Sequence, residues 1–119
     1  MAGNFFEDLK PGAKERVDAL FQGQHARIER IVSHGHCSPE GFWYDQGEAE
    51  WVMVVRGQAI LDFKEPEERV TLTAGDWLWI AAQRPHRVHW TTPDEPTLWL
   101  GVFTGDSALP TSHKPPESP

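Results

Sequence analysis

The sequence predicts an all-β domain of barrel or sandwich type, and three observations carry that prediction. Short runs rich in β-branched and aromatic residues recur along the chain, as in Ala-Arg-Ile-Glu-Arg-Ile-Val-Ser at 26–33 and Thr-Leu-Trp-Leu-Gly-Val-Phe at 97–103; such runs suit a pleated, half-buried surface. Gly, Pro and Asp punctuate them at intervals of roughly 8–12 residues, the rhythm of an all-β fold. No convincing long helical period is present and strands do not alternate with helices, which excludes parallel α/β architectures.

The elements follow in order. Residues 1–14 hold Phe5, Phe6 and Leu9 ahead of the breaker Lys10-Pro11-Gly12, and read as a tail or short edge element that packs by its aromatics. Between Glu15 and Gln22, Val17, Ala19 and Phe21 alternate with Arg16, Asp18 and Leu20, so only Leu20 breaks the period of two. That pattern predicts a strand, although the Ala, Lys, Glu, Arg and Leu of 13–21 would also suit a helix. The Gly-Gln-His link at 23–25 joins it to the 26–33 strand as a hairpin. Residues 34–41 form a loop by their Gly and Pro content.

Phe42 to Gly57 reads as a strand, a tight turn and a second, buried strand. Gln58 to Phe63 and Arg69 to Thr73 make a hairpin around an acidic turn at 64–68, and Ala74-Gly75-Asp76 turns into the apolar strand Trp77 to Ala82. His86 to Thr91 is extended, Thr92 to Pro96 is a turn, and Thr97 to Phe103 is the last buried strand. Beyond Thr104 the chain carries four prolines and almost no apolar residues, too little to offset ordering entropy. The expected organisation is an N-terminal segment (1–14), one barrel domain (15–104) and a disordered Pro-rich tail (105–119).

Composition narrows the function. A chain of 119 residues with 39% hydrophobic and 24% charged residues holds one core. Its net charge of -7 opposes nucleic acid or an anionic membrane as partner, because nothing clusters to neutralise phosphates. No stretch approaches the roughly 20 apolar residues of a membrane span, no signal-peptide pattern opens the chain, and the single Cys37 cannot form an internal disulfide. A cytoplasmic location is expected.

Glu50 is the residue out of place. It opens a run of five apolar residues, and a carboxylate there needs a cation, a donor or a solvent-filled cavity. Period-two geometry puts Tyr44 and Gln46 on one face, Glu50 with Val52 and Val54, and His86 with Val88 and Trp90. With Glu50 and His86 sharing a site, one imidazole, one carboxylate and the Gln46 amide oxygen could hold a hard or borderline metal. The same residues could equally form a buried hydrogen-bonded Glu50–His86 pair completed by Gln46 and Tyr44.

Two motifs resemble the cupin superfamily of small jelly-roll barrels: Glu50 followed by six residues and Gly57, and Gly75-Asp76 followed by a strand, a Pro-containing loop and His86. The resemblance covers roughly Arg27 to Phe103 and implies a double-stranded β-helix, a homodimer, and one divalent metal (Zn, Ni, Fe or Mn) on Glu50 and His86. It departs at Tyr44 and Gln46, which stand where the family usually has a His-x-His pair.

The candidate metal ligands are therefore Gln46, Glu50 and His86, with Asp45, His34 and His36 as secondary candidates. Trp43, Tyr44, Trp79, Val88 and Trp90 are candidates for the wall of a small-molecule pocket. Two functions follow. An enzyme would offer open metal positions to a small-molecule substrate, with Tyr44 as proton donor; a non-catalytic, metal-free barrel would use the cavity for binding alone.

Overall fold

A computed structural model of the protein describes residues 2–10, 12 and 14–105. Eight strands form among them: β1 (Arg16–Gln22), β2 (Ala26–Ser33), β3 (Ala49–Arg56), β4 (Gln58–Lys64), β5 (Glu67–Thr73), β6 (Trp77–Ile80), β7 (His86–Thr91) and β8 (Thr97–Thr104). They make two antiparallel sheets, ordered β1-β2-β8-β3-β6 and β5-β4-β7, which pack face to face as a jelly-roll barrel. No helix of the described residues is long and apolar enough to cross a membrane. Apart from Gly105, the expected tail lies outside the described residues.

The strand pattern matches the alternation in the sequence, and its interruptions become bulges. β1 pairs with β2 from Arg16↔Val32 through Ala19↔Glu29 and then jumps to Phe21↔Ile28, so Leu20 is the extra residue of a bulge. The single residue that broke the apolar–polar pattern is the one left unpaired. A second bulge lies in β7, where Leu61↔Val88 is followed by Ile60↔Trp90, leaving His89 unpaired. Each bulge reverses which face the following side chain occupies.

Two segments differ from expectation. Residues 42–47 form no strand: Tyr44 alone bridges to His86, and the glycines at 41 and 47 with Pro39 upstream interrupt any longer ladder. The strand expected at 77–82 ends at Ile80, ahead of Gln83, which adopts a positive φ of 61°.

Gly57 joins β3 to β4 at φ 95°, and a Cβ there would lie 2.4 Å from the Thr97 hydroxyl and 2.7 Å from its Cα. Only glycine fits on both counts. Between the sheets, Val52, Val54, Ala59, Leu61, Phe63, Leu72, Ile80 and Trp99 form the core cluster.

On the opposite face of the large sheet, Arg30 is 5% exposed and fully engaged. Its guanidinium donates to both Phe5 and Glu7 carbonyls at 2.8 and 2.7 Å, and twice to the Asp18 carboxylate at 3.0 and 2.6 Å. The N-terminal segment is thus fastened by its backbone to a buried cation, and its aromatics pack edge to face with each other, with Phe6 largely exposed.

Candidate functional site

A cavity of about 200 Å³ lies between the sheets. Alternation along β2 turns Arg27, Glu29 and Ile31 toward it, and β3 supplies Glu50 and Val52. The small sheet supplies Leu61, His86 and Val88 across the gap, while Trp99 and Phe103 come from β8. Gly101, between those two on β8, carries no side chain. A Cβ there would approach the Phe103 ring at 3.0 Å and Glu50 Oε2 at 3.6 Å, so this glycine leaves the space beside the carboxylate free.

His86 is held tightly. Its backbone exchanges two hydrogen bonds with Tyr44, at 2.7 and 3.0 Å, and its ring lies between Tyr44, stacked at 5.6 Å, and Phe63 at 6.0 Å. Nδ1 lies 3.0 Å from the Arg84 carbonyl. A carbonyl only accepts, so Nδ1 carries the proton and Nε2 is left with a free lone pair.

That lone pair faces Glu50. Nε2 and Glu50 Oε1 are 3.8 Å apart, beyond hydrogen-bonding distance, so the direct hydrogen-bonded pair weighed from the sequence does not form. Both residues are only 6% exposed. Burial pushes the Glu50 carboxyl up to about 7, with Glu29 adding to the rise, and burial pulls the His86 imidazole below its ordinary value. Both groups are driven toward neutrality, so near pH 7 they are not an ion pair. The Gln46 Oε1 is buried and without a partner.

Around this centre the wall is polar and acidic. Glu15 accepts a hydrogen bond from the Ser33 hydroxyl at 3.1 Å and is pushed up by burial; the same hydroxyl accepts from Trp99 Nε1 at 3.1 Å. Arg27 lies over the Phe103 ring, 4.1 Å from its centroid, bonded to Glu29 at 3.0 Å and to Glu48. The Tyr44 phenol is raised by burial, with smaller contributions from Glu15 and Glu50.

Tyr44, Gln46, Glu50, His86 and Val88 are brought together as expected. Trp43, Trp79 and Trp90 do not line the cavity. The bulge at His89 turns Trp90 outward to 36% exposure. Trp79 pairs with Trp51 on the face opposite Glu50, and the Lys64 ammonium sits 5.5 Å above Trp43.

Asp45 is exposed. His34 and His36 sit in a turn at Gly35, φ 70°, where His36 Nδ1 accepts from the His34 amide at 2.8 Å and Nε2 donates to Gly12 O at 2.9 Å. Both His36 nitrogens are thus occupied outside the cavity. Sequence reasoning missed Glu15, Arg27, Glu29, Trp99 and Phe103. For Arg27 and Glu29 the signal was there: two charges spaced by two and followed by Ile31 mark a polar face of β2.

The donor set can be tested against a divalent metal. Among the described residues no three His, Cys, Asp or Glu side chains converge. His86 Nε2, Glu50 and the orphaned Gln46 oxygen nonetheless make one borderline and two hard donors, with the imidazole oriented by a backbone carbonyl as metal-bound histidines are. Metal–ligand bonds of about 2.1 Å let one ion touch groups 3.8 Å apart. These residues fit a metal held by few protein ligands.

Fold and geometry define a small jelly-roll barrel with an interior cavity lined by both sheets. The model of the family described as "Cupin domain" matches residues 22–103, and the chain belongs to that family. It is similar to a candidate mannose-6-phosphate isomerase from Ralstonia eutropha JMP134, at 42% identity and TM-score 0.83, over 88% of this chain and 98% of that one. A cupin superfamily protein from Desulfitobacterium hafniense DCB-2 shares 15% identity at TM-score 0.67, over 82% and 83%. An RmlC-like cupin from Shewanella frigidimarina shares 16% at 0.65, over 81% and 80%. The last two show the fold alone. No curated protein matches the chain.

Proposed function

We propose that this cupin is a small-molecule-handling barrel whose central site, Gln46, Glu50 and His86, holds a divalent cation. The observation that carries the reading is the placement of Glu50 Oε1 and His86 Nε2 on facing walls of the cavity, 3.8 Å apart with no hydrogen bond between them. Neither atom has a side-chain or backbone partner among the described residues, and a cation between them would engage both, displacing the Glu50 proton. Such a cation would supply Lewis-acid polarisation of a bound substrate. Tyr44, stacked on His86, would hold a proton at its hydroxyl beside that substrate.

Elemental analysis of freshly purified protein and titration with Mn²⁺ or Ni²⁺ test the proposal. Stoichiometric uptake that is lost in Glu50→Ala and His86→Ala is the expected result. Uptake unchanged by both substitutions overturns it.

A second reading, a metal-free binding barrel, is favoured by the absence of a third His, Cys, Asp or Glu at the centre among the described residues. It predicts a ligand-induced rise in Tm without metal and without turnover. The phosphorylated sugar in the name of the Ralstonia relative finds little support here, since Arg27 is already committed to Glu29 and Glu48.

The protein is further proposed to be a cytoplasmic homodimer. Edge strand β1 leaves Val17, Leu20 and Phe21 about half exposed, Val17 opposite Ile31 on one face and Phe21 opposite Ile28 on the other, an open strand edge that a second copy would cover. Light scattering that shows only monomer would remove this part of the reading.

A further inference from the structure

The polar groups that face the cavity are strongly unbalanced between acceptors and donors. Glu50 accepts no hydrogen bond from any described residue and is 6% exposed. His86 Nε2 presents a lone pair because Nδ1 is used on Arg84, and Gln46 Oε1 is buried and unpartnered. Glu15 and Glu29 add two further carboxylates to the wall.

The charged donor and the indole N–H are already taken, leaving only the neutral Tyr44 hydroxyl and Gln46 amide N–H on the wall. Arg27, the one guanidinium or ammonium on the wall among the described residues, is bonded to Glu29 and Glu48 and lies over the Phe103 ring. Trp99 Nε1 is used on Ser33. An anion entering here would meet carboxylates and lone pairs, with no free Arg, Lys or helix N-terminus to receive it.

We infer that the organic ligand of this cavity is a small primary ammonium compound, its donor-only head directed at Glu50, His86 Nε2 and Gln46 and its short apolar body lying against Val52, Leu61 and Val88. The inference rests on the second reading above, the metal-free binding barrel, because an ammonium head and a divalent cation would compete for the same three groups. The volume of about 200 Å³ is that of roughly seven waters at ~30 Å³ each, room enough for a body as short as a butyl chain. The three N–H donors of an ammonium match ionised Glu50, His86 Nε2 and the Gln46 oxygen, and its charge favours the ionised form of Glu50 among the carboxyls of the wall.

The test uses the full chain, freed of metal by EDTA, and four probes: n-butylammonium, 1-butanol, butyrate and inorganic phosphate. The readout is the Trp99 indole N–H signal in a ¹⁵N correlation spectrum, assigned by its loss in Trp99→Phe. Saturable binding of n-butylammonium about tenfold tighter than 1-butanol is expected, a ratio equivalent to about 1.4 kcal/mol, with no shift from butyrate or phosphate. Glu50→Gln and Glu15→Gln, which keep an acceptor while removing a charge, should each weaken n-butylammonium and leave 1-butanol unchanged.

Butyrate or phosphate binding as well as n-butylammonium overturns the inference, and so does the absence of any n-butylammonium shift. In that last case Mn²⁺ is added: broadening of the Trp99 signal that disappears in His86→Ala leaves the ligand site standing without the ammonium inference. No broadening removes both.

Discussion

Replacing Glu50 by Gln should change how stability depends on pH, and the size of the change follows from the site. The Glu50 carboxyl is raised from its usual 4.5 to about 7, so the folded protein holds its proton where the unfolded chain has released it. Where the folded state binds more protons, stability falls as pH rises. The loss begins near pH 4.5 and is complete above about 7.

At about 1.4 kcal/mol per pH unit of displacement, ionised Glu50 costs about 3 kcal/mol at pH 8 relative to pH 4. Glu50→Gln keeps the shape and removes the titration. Urea unfolding of both proteins in EDTA, from pH 4 to pH 8, gives the stability difference at each pH. The wild type should lose about 3 kcal/mol relative to Glu50→Gln across that range, on the order of 10 °C in Tm. His86, whose pKa is lowered, weakens the fold in the opposite direction, as pH falls below its usual 6.5; Glu15 is raised like Glu50. Both titrate in the two proteins and largely cancel. A difference that stays constant with pH would refute the assignment of Glu50 as a buried, unpaired acid.

Two other substitutions test the surroundings. Gly101→Ala places a methyl group 3.0 Å from the Phe103 ring and 3.6 Å from Glu50 Oε2; it should cost about 1 kcal/mol by overpacking and weaken Mn²⁺ uptake, and titration showing wild-type affinity would mean that the space beside Glu50 is not used. Arg30→Ala removes the cation that fastens Phe5, Glu7 and Asp18 and should cost about 3 kcal/mol, with early proteolytic cleavage ahead of β1. Arg30→Lys should recover only part of that loss, because an ammonium lacks the guanidinium fork; full recovery in urea unfolding would show that charge alone holds the segment.

What could be read from the sequence was what depends on period and punctuation. β2 and β7 were delimited at 26–33 and 86–91 because Gly, Pro and Asp bound them on both sides, and the exception at Leu20 marked a bulge. Glu50 was legible because a carboxylate in an apolar run is conspicuous and His86 because it follows the Gly75-Asp76 motif, and Tyr44 and Gln46 were named because they stand where the resembling family has its His-x-His pair, although no strand forms there. Parity failed where the sequence holds no trace of register. Nothing in His86-Arg87-Val88-His89-Trp90 shows that His89 is skipped, so Trp90 was assigned to the wrong face. Trp77-Leu78-Trp79-Ile80 is apolar on both faces, so which residue points inward is decided by pairing with β3. Glu15 lies far in sequence from Glu50, and only the order β1-β2-β8-β3 within the large sheet brings both to one cavity.

Glu50 belongs to the five-stranded layer and His86 to the three-stranded one, so the centre of the barrel is also its seam. Whatever bridges the two side chains stitches one layer to the other, and any breathing that parts the layers pulls the bridge open. Occupancy and cohesion then become one equilibrium seen from two sides: a ligand at about a hundred times its Kd should tighten the whole barrel by about 2.7 kcal/mol. A change that loosens the layers far from the centre would be felt there as a weaker grip.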